Sequence, residues 1–551
     1  MGNNFGWHDI DWKMCQSHTL ELQQRIAEAY MKGEFVKVAQ LQTILVRSFG
    51  ARALAVRKVK TNTGHKTPGI DGVIWKKPED CFPIIGKLKD LSKYKASPVR
   101  RIYILKANGT KRPLGILTMY DRAVQALWAL ALTPVAECRA DTRSYGFRPY
   151  RSTKDAMIYL KLILGSPTSK RWVLEGDISK FFDTLSHDWI MDNIPIDKRI
   201  LMEFLKAGYK EDNNLFETEI GVPQGNLISP IIASMALDGL QASLEPKFRV
   251  ARYADDFVVV GKSKEELQDV ATPIIDKFLA ERGLKLNLDK TLITEISEGF
   301  NFLGFYFKEY PDSNRVKGSK QGIFLVKPMP SKVKGLLIRI KEIIRDSKKH
   351  STALLITKLN PILRGWAEYY RCVTSTRLFS YVGWRVWLLL WSMLRKKHRG
   401  IPHRTLARSK FMKVEGNNWV LFGEDTKGNK VTLYQMGWTT ITRHHLLKPL
   451  NPFLVENAEY FENLRSKGLK HSVDLNKQQR ALAIKQKGSC PVCLDSLIGN
   501  ESLEVHHVIP RKDNGTNALY NLRLLHKECH KLVTHTKDPR ILAGRRGRGV
   551  I

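Results

Sequence analysis

The chain has 551 residues, 43% of them hydrophobic, which is enough for several cores and excludes global disorder. The length corresponds to about three to five compact units. Its 90 Lys+Arg against 54 Asp+Glu give a net charge of +36 and a pI of about 9.8, an excess that fits a polyanionic partner. No apolar run is long enough to span a bilayer, so no membrane partner is expected. Leu388-Leu389-Leu390 lies in a helix broken by tryptophan and ended by Arg-Lys-Lys. Met1-Gly2-Asn3-Asn4-Phe5 has neither the basic start nor the apolar stretch of a signal peptide, which predicts a cytosolic, reducing location. Cys15, Cys81, Cys138 and Cys372 are scattered and read as buried thiols. Cys490, Cys493 and Cys529 cluster, and in a reducing compartment clustering means metal before disulfide.

Residues 1–60 read as helical. Leu20, Leu22, Ile26 and Tyr30 make an apolar stripe that Leu41, Ile44 and Leu45 continue. Arg47, Arg52, Arg57, Lys58 and Lys60 then form a basic face, of the kind that is usually solvated. It precedes the turn cluster Thr67-Pro68-Gly69-Ile70-Asp71-Gly72. Two strand-like runs, from Arg100 to Lys106 and from Lys111 to Ile116, flank Asn108-Gly109 and read as a hairpin. A long helix opens at Asp121, a candidate N-cap. Val173-Leu174-Glu175-Gly176-Asp177 is a short apolar strand that ends in an acid. Gly221-Val222-Pro223-Gln224-Gly225 is a rigid turn feeding a helix, because glycine permits unusual backbone angles and proline fixes them.

Tyr253-Ala254-Asp255-Asp256 lies between Val250-Ala251-Arg252 and Phe257-Val258-Val259-Val260 and reads as strand, tight turn, strand. Aspartate favours turns over strands, so two adjacent acids between strand formers are an odd choice for packing. The plain alternative is a solvated Asp-Asp hairpin. Asp177 at the end of its own strand overturns that reading. Close carboxylates repel unless a cation neutralises them, and a hard ion such as Mg2+ prefers oxygen ligands. Asp177 and Asp255 would cradle two such ions roughly 4 Å apart, the arrangement for in-line phosphoryl transfer.

From Ser331 to Lys410 there are 19 Lys+Arg against 3 Asp+Glu. Ile338, Ile340, Ile343 and Ile344, then Leu354, Leu355 and Leu359, read as helices. Trp384, Trp387 and Trp391 share one face of another and are expected to be core. From Gly400 to about His471, short strand-like pieces such as Trp419-Val420-Leu421-Phe422 alternate with turns. His444 and His445 lack partners at ligand spacing and read as surface histidines. Cys490-Pro-Val-Cys493 and His526-Lys-Glu-Cys529 are two ligand pairs with the spacing of a tetrahedral structural Zn2+ site.

The Tyr-Ala-Asp-Asp stretch and the segment around Asp177 resemble the palm of a reverse transcriptase. From about Arg47 to the C-terminus the chain is similar to the reverse transcriptase and maturase encoded by mobile group II introns. The resemblance implies an α+β right-hand polymerase. An N-terminal extension and the start of the fingers would occupy 1–80, fingers and palm 81–325, and an α-helical thumb, or maturase domain, 326–410. A small DNA-binding segment at 411–474 and a ββα-metal HNH endonuclease at 475–551 would follow. Within the palm, Asp177, Asp255 and Asp256 would be catalytic metal ligands, with Asp256 the least direct. On the fingers hairpin, Lys106, Arg112 and Arg101 would clamp a triphosphate. Phe182, five residues beyond Asp177, would lie under the sugar and exclude a 2′-hydroxyl; the plain alternative is that Phe181 and Phe182 are both core. Gln224 would pack on the nascent base pair and Lys290 would contact phosphate or backbone. Ser144-Tyr145-Gly146-Phe147-Arg148-Pro149 resembles the motif bordering template and nucleotide, and Arg364-Gly365-Trp366-Ala367-Glu368-Tyr369-Tyr370 the thumb signature.

In the HNH likeness, His507 would be the general base, His506 and His530 would hold a Mg2+ or other divalent ion, and Asn521 would ligate it or orient the base. Cys490, Cys493, His526 and Cys529 would hold the zinc, with His526 standing where many such proteins use a fourth cysteine. A zinc-stapled DNA-binding knob without cleavage is the alternative. The implied partners are group II intron RNA, double-stranded target DNA and dNTPs, in a cytoplasmic, nucleoid-associated ribonucleoprotein, with a homodimer left open. Two rivals are an RNA-binding splicing chaperone with relic motifs and a retron-like enzyme of host defence.

Overall fold

The computed structural model describes residues 6–105, 109–166, 170–212, 214–311, 322–426, 428–470, 475–497 and 502–536. Lys106 and the arginines of the C-terminal tail lie outside them. Among the described residues no helix is long and apolar enough to cross a membrane.

The centre is an antiparallel four-stranded sheet in the order Arg249–Tyr253, Asp256–Gly261, Trp172–Gly176, Leu292–Glu295. Its two inner strands, Asp256–Gly261 and Trp172–Gly176, are mostly apolar because both faces are covered. The period-two alternation decides which residue meets which layer. Leu174, Val250, Phe257 and Val259 face a core shared with the N-terminal helices. Val173, Ala251, Val258 and Val260 face a second core shared with the thumb.

Helices Trp12–Met31, Phe35–Arg47 and Phe49–Thr61 pack on the long helix Met119–Arg139. Leu22, Ile26, Leu41 and Leu45 are buried as the stripe predicts, whereas Leu20 and Ile44 are exposed. Two members of the expected basic face are also buried. Arg52 donates to the Ser48 and Ile85 carbonyls, and Arg57 lies 4.9 Å over the Trp12 ring. Ala51, Ala53 and Ala55 let this helix sit centrally, and its long cations then find buried acceptors rather than water. The long helix is capped by Thr118, not Asp121. Asp121 lies in the first turn, where its carboxylate accepts from the Thr118 and Tyr94 hydroxyls at 2.6 and 2.9 Å.

A second sheet carries the fingers hairpin, Val99–Leu105 paired with Lys111–Ile116, and extends through Tyr209–Glu211 to Asn214–Phe216. Helices Pro330–Asp346, Thr352–Tyr370 and Thr376–Lys397 form the thumb. It is fastened to the palm by its signature aromatics: the Tyr369 and Tyr370 hydroxyls donate to the Leu303 and Gly304 carbonyls at 2.8 and 3.0 Å. The tryptophan stripe is not core. Phe379, Val382, Val386, Leu390 and Leu394 are the buried face of that helix, while Trp384 is 54% exposed and Trp387 and Trp391 are half-buried. Periodicity offered two apolar stripes, and only packing chose between them.

Beyond the thumb, Phe411–Val414, Asn417–Glu424 and Lys430–Thr432 make a three-stranded antiparallel sheet. His444 is not a free surface histidine. Its Nε2 lies 2.8 Å from the buried Asp155 carboxylate and ties this segment to the palm. The C-terminal module pairs Leu503–His507 with Leu522–His526 and closes with helix Lys527–Thr536, a ββα unit. Leu482, Leu524 and Val533 bring it into the same core as the N-terminal helices.

One buried ion pair braces the central hairpin. Arg252 and Asp238 meet at 2.6 Å with side chains 2% and 4% exposed, and the same guanidinium donates to the Ser234 and Ala254 carbonyls. Replacing one partner of such a pair leaves a buried charge without compensation, at a cost of about 3–5 kcal/mol. Arg252→Met should therefore lower the thermal midpoint on the order of 10 °C, and differential scanning calorimetry measures it.

Candidate active sites

Strands Arg249–Tyr253 and Asp256–Gly261 are joined by Ala254 and Asp255 alone. Ala254 has φ 57°, a left-handed conformation that suits a two-residue hairpin but strains an L-residue. Neighbouring backbone holds it there. The Tyr145 N–H donates to the Arg252 carbonyl at 2.9 Å, and the Arg252 N–H donates to Arg143 at 2.9 Å. Gly146 then passes so close that a Cβ on it would run into the Ala254 backbone. The segment from Ser144 to Pro149 is thus a brace for the turn. Arg148 serves the same end, paired bidentately with buried Glu137 and donating to the Asp141 and Ser144 carbonyls.

Asp177 arrives from the adjacent strand. Gly176 pairs with Phe257, and a side chain on it would strike that ring. Asn287 holds Asp177 twice: its backbone N–H donates to the Asp177 carbonyl at 2.8 Å and its amide to the carboxylate at 3.0 Å. Lys290 Nζ lies 2.9 Å from the same oxygen, Oδ2. The three acids feel one another. Burial raises the Asp255 carboxyl and Asp177 adds to it, against Arg112 and Lys290. Asp256 keeps an edge in solvent, yet lost hydration, Asp255 and Asp177 push it up to about 6.

Arg112 and Gln224 are brought together, with Arg112 Nε donating to Gln224 Oε1 at 2.8 Å. The Gly115 N–H donates to the Gln224 carbonyl at 2.8 Å, so fingers hairpin and rigid turn form one wall. The same turn meets Phe182, whose carbonyl accepts from the Val222 N–H at 2.6 Å. Phe181 is buried, while Phe182, edge-on to it at 5.3 Å, keeps one side open. Arg101 is not drawn to the acids. Its guanidinium lies 3.3 Å over the Tyr209 ring, a contact within the fingers sheet.

In the C-terminal module, Cys490, Cys493, His526 and Cys529 bring their ligand atoms within 4.8 Å of one another, all four buried. Among the described residues this is the only set of His, Cys, Asp and Glu so close. The palm aspartates, though coupled, are not gathered as tightly. His526 Nδ1 faces Cys493 Sγ at 3.4 Å and its Nε2 lies 3.0 Å from the Ser496 carbonyl, which fixes the ring. Burial would depress this imidazole, but the Cys490 and Cys493 sulfurs outweigh it and push it up to about 11. Arg57 of the N-terminal helices donates to Cys529 Sγ at 3.0 Å, across 472 residues of sequence.

His506 and His530 lie together, ring centroids 5.2 Å apart. Burial, with His530 and His507 nearby, lowers His506 to about 4, so it is neutral at physiological pH. His530 Nδ1 is held by Glu504 at 2.6 Å. His507 Nε2 lies 2.9 Å from Asn517 Oδ1 and 3.3 Å from Arg511 Nε. Asn521 lies on the loop side of these histidines. Its amide is spent on backbone, accepting from the Ile509 N–H at 2.7 Å and donating to Ile509 and Thr516 carbonyls. It shapes the loop after His507.

Asn287, Arg252, Glu504, Asn517 and Arg57 all touch these sites and escape a reading by motif. Only Glu504, two residues from His506 on one strand, carried a sequence signal, through the strand period.

Fold and sites together define a nucleic acid polymerase joined to a small metal-binding nuclease module. Family models agree on each part. Residues 7–88 match the N-terminal domain of reverse transcriptase, and 104–307 match reverse transcriptase (RNA-dependent DNA polymerase). Residues 333–411 match the group II intron maturase-specific domain, and 490–536 match HNH endonuclease. The chain is 30% identical to Protein YkfC of Escherichia coli (strain K12), over 52% of this chain and 87% of that protein. It is 25% identical to group II intron-encoded protein LtrA of Lactococcus lactis subsp. cremoris, over 88% of this chain and 93% of that protein. Maturase-like protein 1 of Euglena gracilis is 24% identical, over 67% of this chain and 78% of that protein. The chain belongs to the group II intron-encoded proteins: it is a multifunctional reverse transcriptase with maturase and HNH endonuclease domains. Both enzyme families are metal-dependent.

The raised palm carboxyls predict a pH signature. A carboxyl whose folded pKa lies above its unfolded value costs nothing below the unfolded pKa, and the cost grows with pH until it is complete above the folded one. Asp256→Asn should therefore raise the thermal midpoint at pH 7 in EDTA. The gain should shrink as pH falls through about 6 and be gone near pH 4. Thermal scans across that range measure it.

Proposed function

We propose that the chain mobilises its intron by target-primed reverse transcription. The thumb and N-terminal region bind intron RNA and help it fold for splicing. The particle inserts its RNA into one strand of double-stranded DNA, and the HNH module nicks the other. The new 3′ end then primes DNA synthesis on the RNA. The observation that carries this reading is the electrostatic coupling of Asp177, Asp255 and Asp256 beside the wall made by Arg112, Gln224 and Phe182.

In the palm, the 3′-hydroxyl attacks the α-phosphorus of a dNTP and pyrophosphate leaves. Asp177, Asp255 and Asp256 offer hard oxygens that suit Mg2+, and paired ions there would supply the Lewis-acid charge for in-line transfer. Lys290 already balances Asp177 and is placed to pass to a phosphate. Arg112, oriented by Gln224, binds the triphosphate with a planar, always-charged group. Phe182 presents its open side to the sugar.

In the nuclease module, three thiolates and an imidazole are the donor set of a structural Zn2+ site, closed and without a position for water. His506, neutral at pH 7, and His530, oriented by Glu504, would hold a divalent ion on the scissile phosphate. His507, steadied by Asn517, removes a proton from the attacking water.

Three substitutions separate the roles. Asp255→Ala should abolish primer extension on an RNA template, by at least about 10³-fold, while intron RNA still binds in a filter assay. His507→Ala should stop nicking of a plasmid target while extension persists. Phe182→Ala should admit ribonucleotides about 10- to 100-fold better relative to deoxynucleotides. Unchanged incorporation would make Phe182 a packing residue.

A further inference from the structure

Where the thumb helix Thr376–Lys397 meets the three-stranded sheet, four indoles surround a hollow of about 530 Å³. Trp384 and Trp387 come from the helix, Trp419 from strand Asn417–Glu424, and Trp438 from the turn Met436–Trp438. Asn417 and Gln435 bring amides to its wall. The volume falls within the roughly 300–1,000 Å³ of small-ligand sites. Trp384, Trp419 and Trp438 are 54%, 51% and 44% exposed. Three large aromatics open on one patch are unusual for a surface with no binding role.

The patch is rigid from behind. Trp387 stacks on Trp391 at 6.0 Å and stands edge-on to Trp419 at 6.0 Å, and Phe411 touches all three. Trp387 and Trp391 lean on the thumb core, whereas Trp384, Trp419 and Trp438 stand outside it and turn to solvent. Charge narrows the occupant further. From residue 369 to residue 414 the sequence has no aspartate or glutamate, and exposed Arg377, Arg385 and Lys413 lie close in sequence to the rings. An uncharged apolar peptide would leave these cations without counter-charge. A nucleic acid duplex would answer the charge, but its base faces are hidden in the stack and cannot meet an indole. An unpaired nucleotide offers both a phosphate and an open π-face.

We propose that this hollow is a stacking site for unpaired nucleobases of single-stranded nucleic acid, separate from the palm. It rests on the reading of the chain as a nucleic-acid-binding polymerase and adds where, and by which chemistry, an unpaired segment is held. The bases could belong to a looped segment of RNA or to a displaced DNA strand. Both present the same flat faces.

The test uses the full-length protein and three probes of about 12 nucleotides: oligo(U) RNA, oligo(dT), and an abasic DNA of equal length and charge. Binding to the first two should quench tryptophan fluorescence more than binding of the abasic strand. In Trp384→Ala/Trp419→Ala, affinity for at least one base-bearing probe should fall about 10- to 100-fold. Affinity for the abasic strand should hold, and so should primer extension on a pre-annealed primer and template. The probe that loses more identifies RNA or DNA as the source. Trp384→Phe/Trp419→Phe, which keeps flat rings, should restore most of the affinity. Equal loss for based and abasic strands, or no loss, overturns the proposal. Loss of self-association alone would make the hollow a protein contact and overturn it too. Wild-type protein unable to extend a primer would instead sink the polymerase reading and leave this result standing by itself.

Discussion

The palm depends on a guanidinium that never meets solvent. Arg252 lies three residues before Asp255, on the strand that feeds the turn, and its charge is matched by Asp238 inside the protein. From that position it donates to the Ala254 carbonyl, the residue held in a left-handed conformation. A turn made only of Ala254 and Asp255 has little side chain of its own to set its shape. The shape comes from Arg252 beneath it, from Gly146 pressed against it, and from Arg148 holding the Gly146 segment in turn. A buried ion pair adds little net stability over apolar packing, but it allows few alternative geometries. That trade suits a turn whose purpose is to aim a carboxylate.

The same economy governs the acids. Asp255 and Asp256 are raised first by burial and then by the neighbouring acids, a cost that the fold tolerates. Sites of this kind store instability where chemistry needs charge concentrated. The surroundings limit the damage. Asn287 and Lys290 both hold Asp177, and Arg112 offsets Asp255 from the fingers.

The nuclease module is not a bead on a string. Its core is continuous with that of the N-terminal helices, and Arg57 reaches its Cys529. Three thiolates, an imidazole and one divalent ion would carry one net negative charge, which a buried arginine neutralises. Such a contact couples the folding of the two ends of the chain. It also explains why Arg57, lying over Trp12, is buried rather than spread on a surface to meet RNA.

Much of this was legible in the residues. The strand, turn, strand pattern around Asp255, the acid at the end of the strand at Asp177, and the paired Cys and His spacings are local signals. Backbone period and ligand geometry act over a few residues, so sequence carries them. Partners far apart in the chain are different. Nothing near Arg57 points to Cys529, nothing near His444 points to Asp155, and the choice of Phe379, Val382 and Val386 over the tryptophans as the buried face depends on which surface a neighbour covers. Nothing near Asn521 in sequence tells that its amide clasps the backbone of Ile509 and Thr516. Local chemistry thus set the elements and the reactive residues. Long-range packing decided which charges are buried, which rings face solvent, and which side chains reach the sites, because burial depends on what the rest of the chain brings alongside.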